Sequence, residues 1–247
     1  NKVLKNGMYC TGDATVNTVG STSESGKMSP KNLLSTTITD ELKLATNNRG
    51  KVIGMSIKDR GAILPAGHKA EGAYWYDGGD EGKWISSTYY MTGLPKWVQK
   101  VNKENSSNKY LNQKWETLLP ISEYSESIND DNPYEGMYTG EVAPVFPHDL
   151  PSLRDSNYNY SLIKSTPFGN TILKELALAA IKGEKLGEDE FADFLAVSFS
   201  STDYIGHQYG PMSVEIEDAY LRLDKDIEEM IDYLEKNFEK EEFLIFL

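Results

Sequence analysis

Four side chains in this sequence carry the strongest chemical suggestion, in two short stretches. In "SFSSTDYIGHQYGP", residues 198–211, Asp203 and His207 stand four apart around Gly206, directly after an apolar run. A carboxylate oxygen and an imidazole nitrogen are donors that suit Zn²⁺, and zinc takes three or four protein ligands. A two-ligand motif therefore implies further ligands elsewhere. The same spacing also serves a turn in which Asp203 caps the backbone and His207 packs or meets solvent. In "SIKDR", residues 56–60, Lys58 and Arg60 flank Asp59. If the extended backbone persists to Arg60, the two cations project to one side and Asp59 to the other. A compact ammonium beside a planar guanidinium fork suits the oxygens of a phosphoryl group. A solvated strand end with a local ion pair would look the same.

Other polar residues read more plainly. Ser35, Thr36 and Thr37 offer hydroxyls, but they fall inside an expected helix with no histidine nearby in sequence. His68 and His148 sit beside prolines in expected loops, where a structural hydrogen bond is the simplest role. "AYWYDGG" and "WISSTYYM" are aromatic enough for a sugar or base platform, yet aromatics in strands more often build core.

The elements that must position these groups follow from hydrophobic periodicity. Ser29 and Pro30 introduce a helix over about 30–47, with Leu33, Leu34, Ile38, Leu42 and Leu44 at helical spacing. "KVIGMSI" (51–57) then reads as a buried strand. Thr166 and Pro167 open a second helix reaching Gly183, followed by the strand "FLAVSFS" (194–200). Ser213 opens a third, with Glu215 and Glu217 in its first turn, followed by "FLIFL" (243–247) as a further buried strand. Helices alternating with continuously apolar strands predict an α/β fold: a mostly parallel sheet flanked by helices on both faces, with sites at the C-terminal strand ends. Both motifs fall at such ends. Residues 91–165, rich in Asn, Ser, Tyr and Pro, read as an inserted cap region with one helical segment near "LPKWVQKVN", and 1–90 with 166–247 as the core.

Composition limits the partners. A net charge of −13 over 247 residues argues against nucleic acid, whose phosphates are held by clustered Lys and Arg. No run of about 18 apolar residues offers a membrane span. Cys10 is the only cysteine, so no intrachain disulfide forms. The chain starts at Asn1 without a leader and stops on an apolar run, and both ends read as cuts.

"STDYIGHQYGP" resembles the Asp-x-x-x-His-x-x-Gly-Pro motif of the type I phosphodiesterase/nucleotide pyrophosphatase family, within the alkaline phosphatase superfamily. "SIKDRGAILPAGH", "AYWYD" and "WISSTYYM" are similar to the bacterial phosphate-irrepressible alkaline phosphatases. The resemblance implies a two-zinc enzyme that hydrolyses small-molecule phosphate monoesters through a threonine phosphoenzyme, exported to the periplasm or secreted. It gives Asp203 and His207 the role of zinc ligands, and Lys58 and Arg60 that of phosphoryl contacts. The nucleophilic threonine and the second zinc's ligands then lie outside this chain, which is expected to be an inactive central fragment carrying part of one zinc site. A phosphodiesterase or nucleotide pyrophosphatase, and a non-catalytic glycan-binding module, are the competing expectations.

Overall fold

The computed structural model describes residues 7–247. In chain order the elements are β1 (Thr18–Val19), α1 (Ile38–Ala45), β2 (Val52–Ser56), α2 (Asp59–Ala66), β3 (Gly72–Asp77), β4 (Lys83–Ser87), α3 (Lys96–Glu104), α4 (Ser106–Leu111), α5 (Leu150–Leu153), α6 (Phe168–Glu184), β5 (Phe194–Ser198), α7 (Ser201–Tyr209) and α8 (Val214–Asn237). The chain divides into two compact units. The first comprises Asn1–Asp77, Lys83–Lys100 and Ala180–Ser198, and the second Gly78–Gly82, Val101–Ala179 and Phe199–Leu247.

The first unit holds an open five-stranded sheet ordered β1-β4-β3-β2-β5. β2 is an inner strand, buried along its whole length and parallel to both neighbours, with Gly54 opposite Ala73 and Ala196. This explains its unbroken apolar run, since a strand covered on both faces has no polar side to show. Beyond β3 the sheet turns antiparallel, first to β4 and then to β1. The expected α/β sheet is therefore present as a mixed one, its parallel part confined to β3-β2-β5. Helix α2 lies so close to β2 that a Cβ at Gly54 would meet the Ala62 carbonyl oxygen at 2.1 Å. Ala62, Ile63 and Ala66 of α2 close the core with Ala73, Trp75 and Ile85.

Three sequence expectations change here. The helix expected over 30–47 splits into a 3-10 turn at Pro30–Asn32 and α1, because Thr37 and Asp40 form a reciprocal capping box that starts the helix at Ile38. Leu34 points outward, 97% exposed, so the leucine spacing carried a false signal. Ser35 and Thr36 thus precede α1 rather than lying within it. Finally, 243–247 forms no strand ladder among the described residues, and Leu244 and Leu247 are exposed. An apolar run marks a strand only where a hydrogen-bonding neighbour is available.

The second unit is helical, built from the end of α3, α4, α5, the first part of α6, α7 and α8. Ser213 caps α8 by accepting from the Ile216 N–H, and Glu215 and Glu217 occupy its first turn, as the sequence suggested. Trp115 and His148 exchange backbone hydrogen bonds of 2.9 and 3.0 Å. Asp218 of α8, fully buried, accepts from Trp115 Nε1, Tyr124 Oη, the Leu118 N–H and Arg222 Nε. No helix among the described residues is long and apolar enough to cross a membrane.

Candidate functional site

Ser56 ends β2, and Lys58 is already the N-terminal flanking residue of α2. The extended backbone does not reach Arg60, which corrects the expected strand geometry: Lys58 stands at the mouth of the helix and Arg60 within its first turn. The two cations still share one short segment, Lys58 half-buried and Arg60 exposed. Two serines fix this corner. Ser56 Oγ donates to the Ser198 carbonyl at 2.9 Å, tying together the parallel C-terminal ends of β2 and β5, and accepts from the Lys58 N–H at 3.1 Å. A Cβ at Gly61 would come within 2.6 Å of Ser56 Oγ and 2.9 Å of Ser198 Oγ, so glycine lets α2 begin directly over both strand ends. Asp59 Oδ1 accepts from Thr11 Oγ1 at 2.5 Å, and Asp59 Oδ2 from Tyr9 Oη at 2.9 Å. Nothing in the sequence signalled these partners, which lie about fifty residues upstream.

In the second unit, Asp203 and His207 sit on α7 and not on a loop, and Gly206 is helical instead of turning the chain. The four-residue spacing is one helical turn, which stacks the two side chains on a common face. Asp203 Oδ1 and His207 Nε2 stand 3.5 Å apart, with the side chains 53% and 81% exposed. That is long for a hydrogen bond. It matches two corners of a zinc tetrahedron, which stand about 3.3–3.5 Å apart for ordinary ligand bond lengths. The donor pair therefore fits one edge of a zinc site. Among the described residues, no group of three or more His, Cys, Asp or Glu is arranged to hold a metal.

Helix α7 is held at both ends. At its start the Ser201 N–H donates to Asn170 Oδ1 at 3.1 Å, and a Cβ at Gly169 would meet Ser201 Oγ at 2.1 Å. At its end Tyr209 is buried against Trp115, Tyr138 and His148, Gly210 takes a left-handed φ of 97°, and the Gln208 carbonyl accepts from the Gly136 N–H at 2.8 Å.

The remaining histidines make structural hydrogen bonds. His68 reaches Asp40 Oδ2 at 2.9 Å and the Leu33 carbonyl at 3.0 Å. His148 is fully buried between Glu141 at 2.6 Å and Glu215 at 3.2 Å. Burial opposes its charge, but the bonds to those two carboxylates prevail and push its pKa up to about 9. The aromatic strands form core: Tyr74, Trp75, Tyr76 and Trp84 are buried and offer no platform for a sugar.

Residues 2–247 match the family model described as type I phosphodiesterase / nucleotide pyrophosphatase. Alkaline phosphatase PhoV of Synechococcus elongatus is 55% identical over 97% of this chain and 43% of its own length. A Myroides odoratus protein named a calcium-transporting ATPase is 55% identical over 97% of this chain and 44% of its own. Alkaline phosphatase PafA of Elizabethkingia meningoseptica is 48% identical over 100% of this chain and 45% of its own. The PafA crystal structure matches with a TM-score of 0.89 over 93% of this chain and 44% of that one. A second PafA structure carries four substitutions, of a threonine, an asparagine, a lysine and an arginine, and matches with the same TM-score. The chain thus spans less than half the length of the curated relatives it matches.

Proposed function

Because this chain belongs to the type I phosphodiesterase / nucleotide pyrophosphatase family, we propose that it contributes the phosphate-binding cations and one pair of zinc ligands to a phosphatase acting on phosphate monoesters. The relatives are more than twice as long, so the activity is assigned to the complete protein. The observation that carries the reading is the placement of Lys58 and Arg60 together where β2 gives way to α2. Two cations at the positive end of a helix favour a dianionic monoester over a singly charged diester. The lysine and arginine replaced in the PafA variant also stand two positions apart. PhoV and PafA are named for phosphate ester cleavage and the Myroides relative for ATP cleavage; both reactions detach a terminal phosphoryl group.

In this reading Arg60 offers its planar fork to two phosphoryl oxygens while Lys58 supplies a point charge, and both strengthen their hold as charge spreads over those oxygens. Asp203 and His207 would hold a zinc ion, which when bound supplies Lewis-acid stabilisation of phosphoryl oxygen charge. The covalent step falls to a threonine beyond the residues described, and export to the periplasm or the medium belongs to the same proposal.

Monoester and diester turnover by the complete protein tests the reading, before and after Lys58→Ala and Arg60→Ala. Each substitution is expected to lower kcat/KM for an aryl phosphate about 100-fold, the scale of losing one preorganised donor, and to cost the matching diester less than about tenfold. Equal losses on both substrates, or faster cleavage of the diester by the unaltered protein, refute it.

A further inference from the structure

Arg60 is exposed, and a guanidinium on a flexible stem discriminates between substrates only if something fixes its direction. Successive residues of a helix diverge by about 100°, so Asp59 and Arg60 leave the first turn of α2 on different bearings. Tyr9 spans that divergence. Its hydroxyl donates to Asp59 Oδ2 at 2.9 Å and accepts from Arg60 Nη1 at 3.1 Å. The other Asp59 oxygen is taken by Thr11 Oγ1 at 2.5 Å.

The direction of every bond in this relay is fixed by chemistry. A guanidinium only donates and a carboxylate only accepts, so the single phenolic proton must go to Asp59 and a phenolic lone pair must receive Arg60. Burial, then the bond to Asp59, holds the Tyr9 pKa above its ordinary value, which keeps that proton in place through the range where a phosphatase of this family would work. Thr11 and Tyr9 together occupy both Asp59 oxygens, and of these two it is Tyr9 that also bonds Arg60.

We infer that Tyr9 is a positioning residue for Arg60, holding the guanidinium through the Asp59–Thr11 anchor so that its fork meets the phosphoryl oxygens of a monoester. The inference rests on the phosphatase reading above. Tyr9 does not itself touch the ester; removing its hydroxyl acts through Arg60 or not at all.

A double-mutant cycle in the complete protein tests this, with Tyr9→Phe, Arg60→Ala and the pair, each assayed on an aryl phosphate and on the matching diester. Phenylalanine keeps the ring at a residue that is 46% exposed, so the fold tolerates the change. Tyr9→Phe is expected to lower monoester kcat/KM about tenfold, the usual weight of one hydrogen bond to a charged group, and to leave the diester within about twofold. In the Arg60→Ala background it should change neither. Thr11→Val, which frees one Asp59 oxygen, should move monoester turnover in the same direction by a smaller factor. Unchanged monoester turnover in Tyr9→Phe, an equal loss on the diester, or a full loss persisting beside Arg60→Ala overturns the inference. If Arg60→Ala alone leaves monoester turnover intact, both Tyr9's role and the phosphate-binding role of Arg60 fall. If Arg60→Ala acts and Tyr9→Phe does not, only Tyr9's role falls.

Discussion

Replacing Glu135 by glutamine should stabilise the protein at alkaline pH and leave it unchanged in acid. Both carboxylate oxygens of Glu135 are buried without a hydrogen-bond partner. Burial first, then the charges of Glu215, Asp130 and Asp131, push its pKa from 4.5 up to about 7 against a weaker pull from His148. Between those two values the folded protein binds more protons than the unfolded chain, so stability falls as pH rises through that window. At about 1.4 kcal/mol per pH unit, the ceiling on this loss is about 3.4 kcal/mol. Solvent reaches part of the residue and screens its charge, which leaves about 1–2 kcal/mol. His148 adds a second step of the same sign: the stability its protonation contributes is complete below 6.5 and is lost as pH rises through about 9. Urea unfolding followed by tryptophan fluorescence at pH 5, 7 and 8.5 separates the two, because Glu135→Gln removes only the lower step. The reasoning is refuted if the variant is no more stable than the parent at pH 8.5, or if it gains as much at pH 5.

Two further outcomes follow from the second unit. Asp203→Asn and His207→Ala should each weaken zinc binding to the complete protein more than about 100-fold, beyond the effect of losing an outer partner, as read by chelator competition; undiminished affinity excludes the pair as ligands. Asp218→Asn should cost about 3–5 kcal/mol of unfolding free energy, because it faces an amide towards donors that now meet a fully buried carboxylate and leaves Arg222 without its ion pair. A loss under about 1 kcal/mol in urea titration would show that the neighbours satisfy those donors without it.

How much of this was legible in the sequence varies by residue. "KVIGMSI" announced β2 because a doubly covered strand must be apolar throughout; "FLAVSFS" announced β5 by a similar apolar run, although β5 ends the sheet and is only half-buried; and Ser213 announced α8 because a cap hydroxyl followed by acidic residues is a local signal. Periodicity misled where the decisive contact was something else. The Thr37–Asp40 box overruled the leucine spacing around residue 30, and no ladder partner appears among the described residues for 243–247. The types and spacing of the Asp203–His207 pair were readable, but their conformation was not: "SSTDYIGHQY" carries polar residues and a glycine that suit a loop, while burial of Ile205 and Tyr209 draws it into a helix. The pairing survived the error because four residues make one helical turn. Tyr9 and Thr11 left no trace, since a contact across about fifty residues has no local signature.

The helical start of α2 also supplies an argument that the expected strand could not. A cation near a helix N-terminus works against the peptide dipoles, at about 0.3–1 kcal/mol each, and the favoured occupants of that turn are carboxylates and hydroxyl caps. Here Lys58 holds the flanking position and gives the helix no side-chain cap, Arg60 sits in the first turn, and only Asp59 has the favoured sign. Asp59, moreover, is engaged by Thr11 and Tyr9. For folding alone this is a poor choice of residues, and placements of this kind persist where function repays them. A dianionic group held by both cations, as proposed above, would meet the dipole in its favourable sense and reverse the sign of the cost.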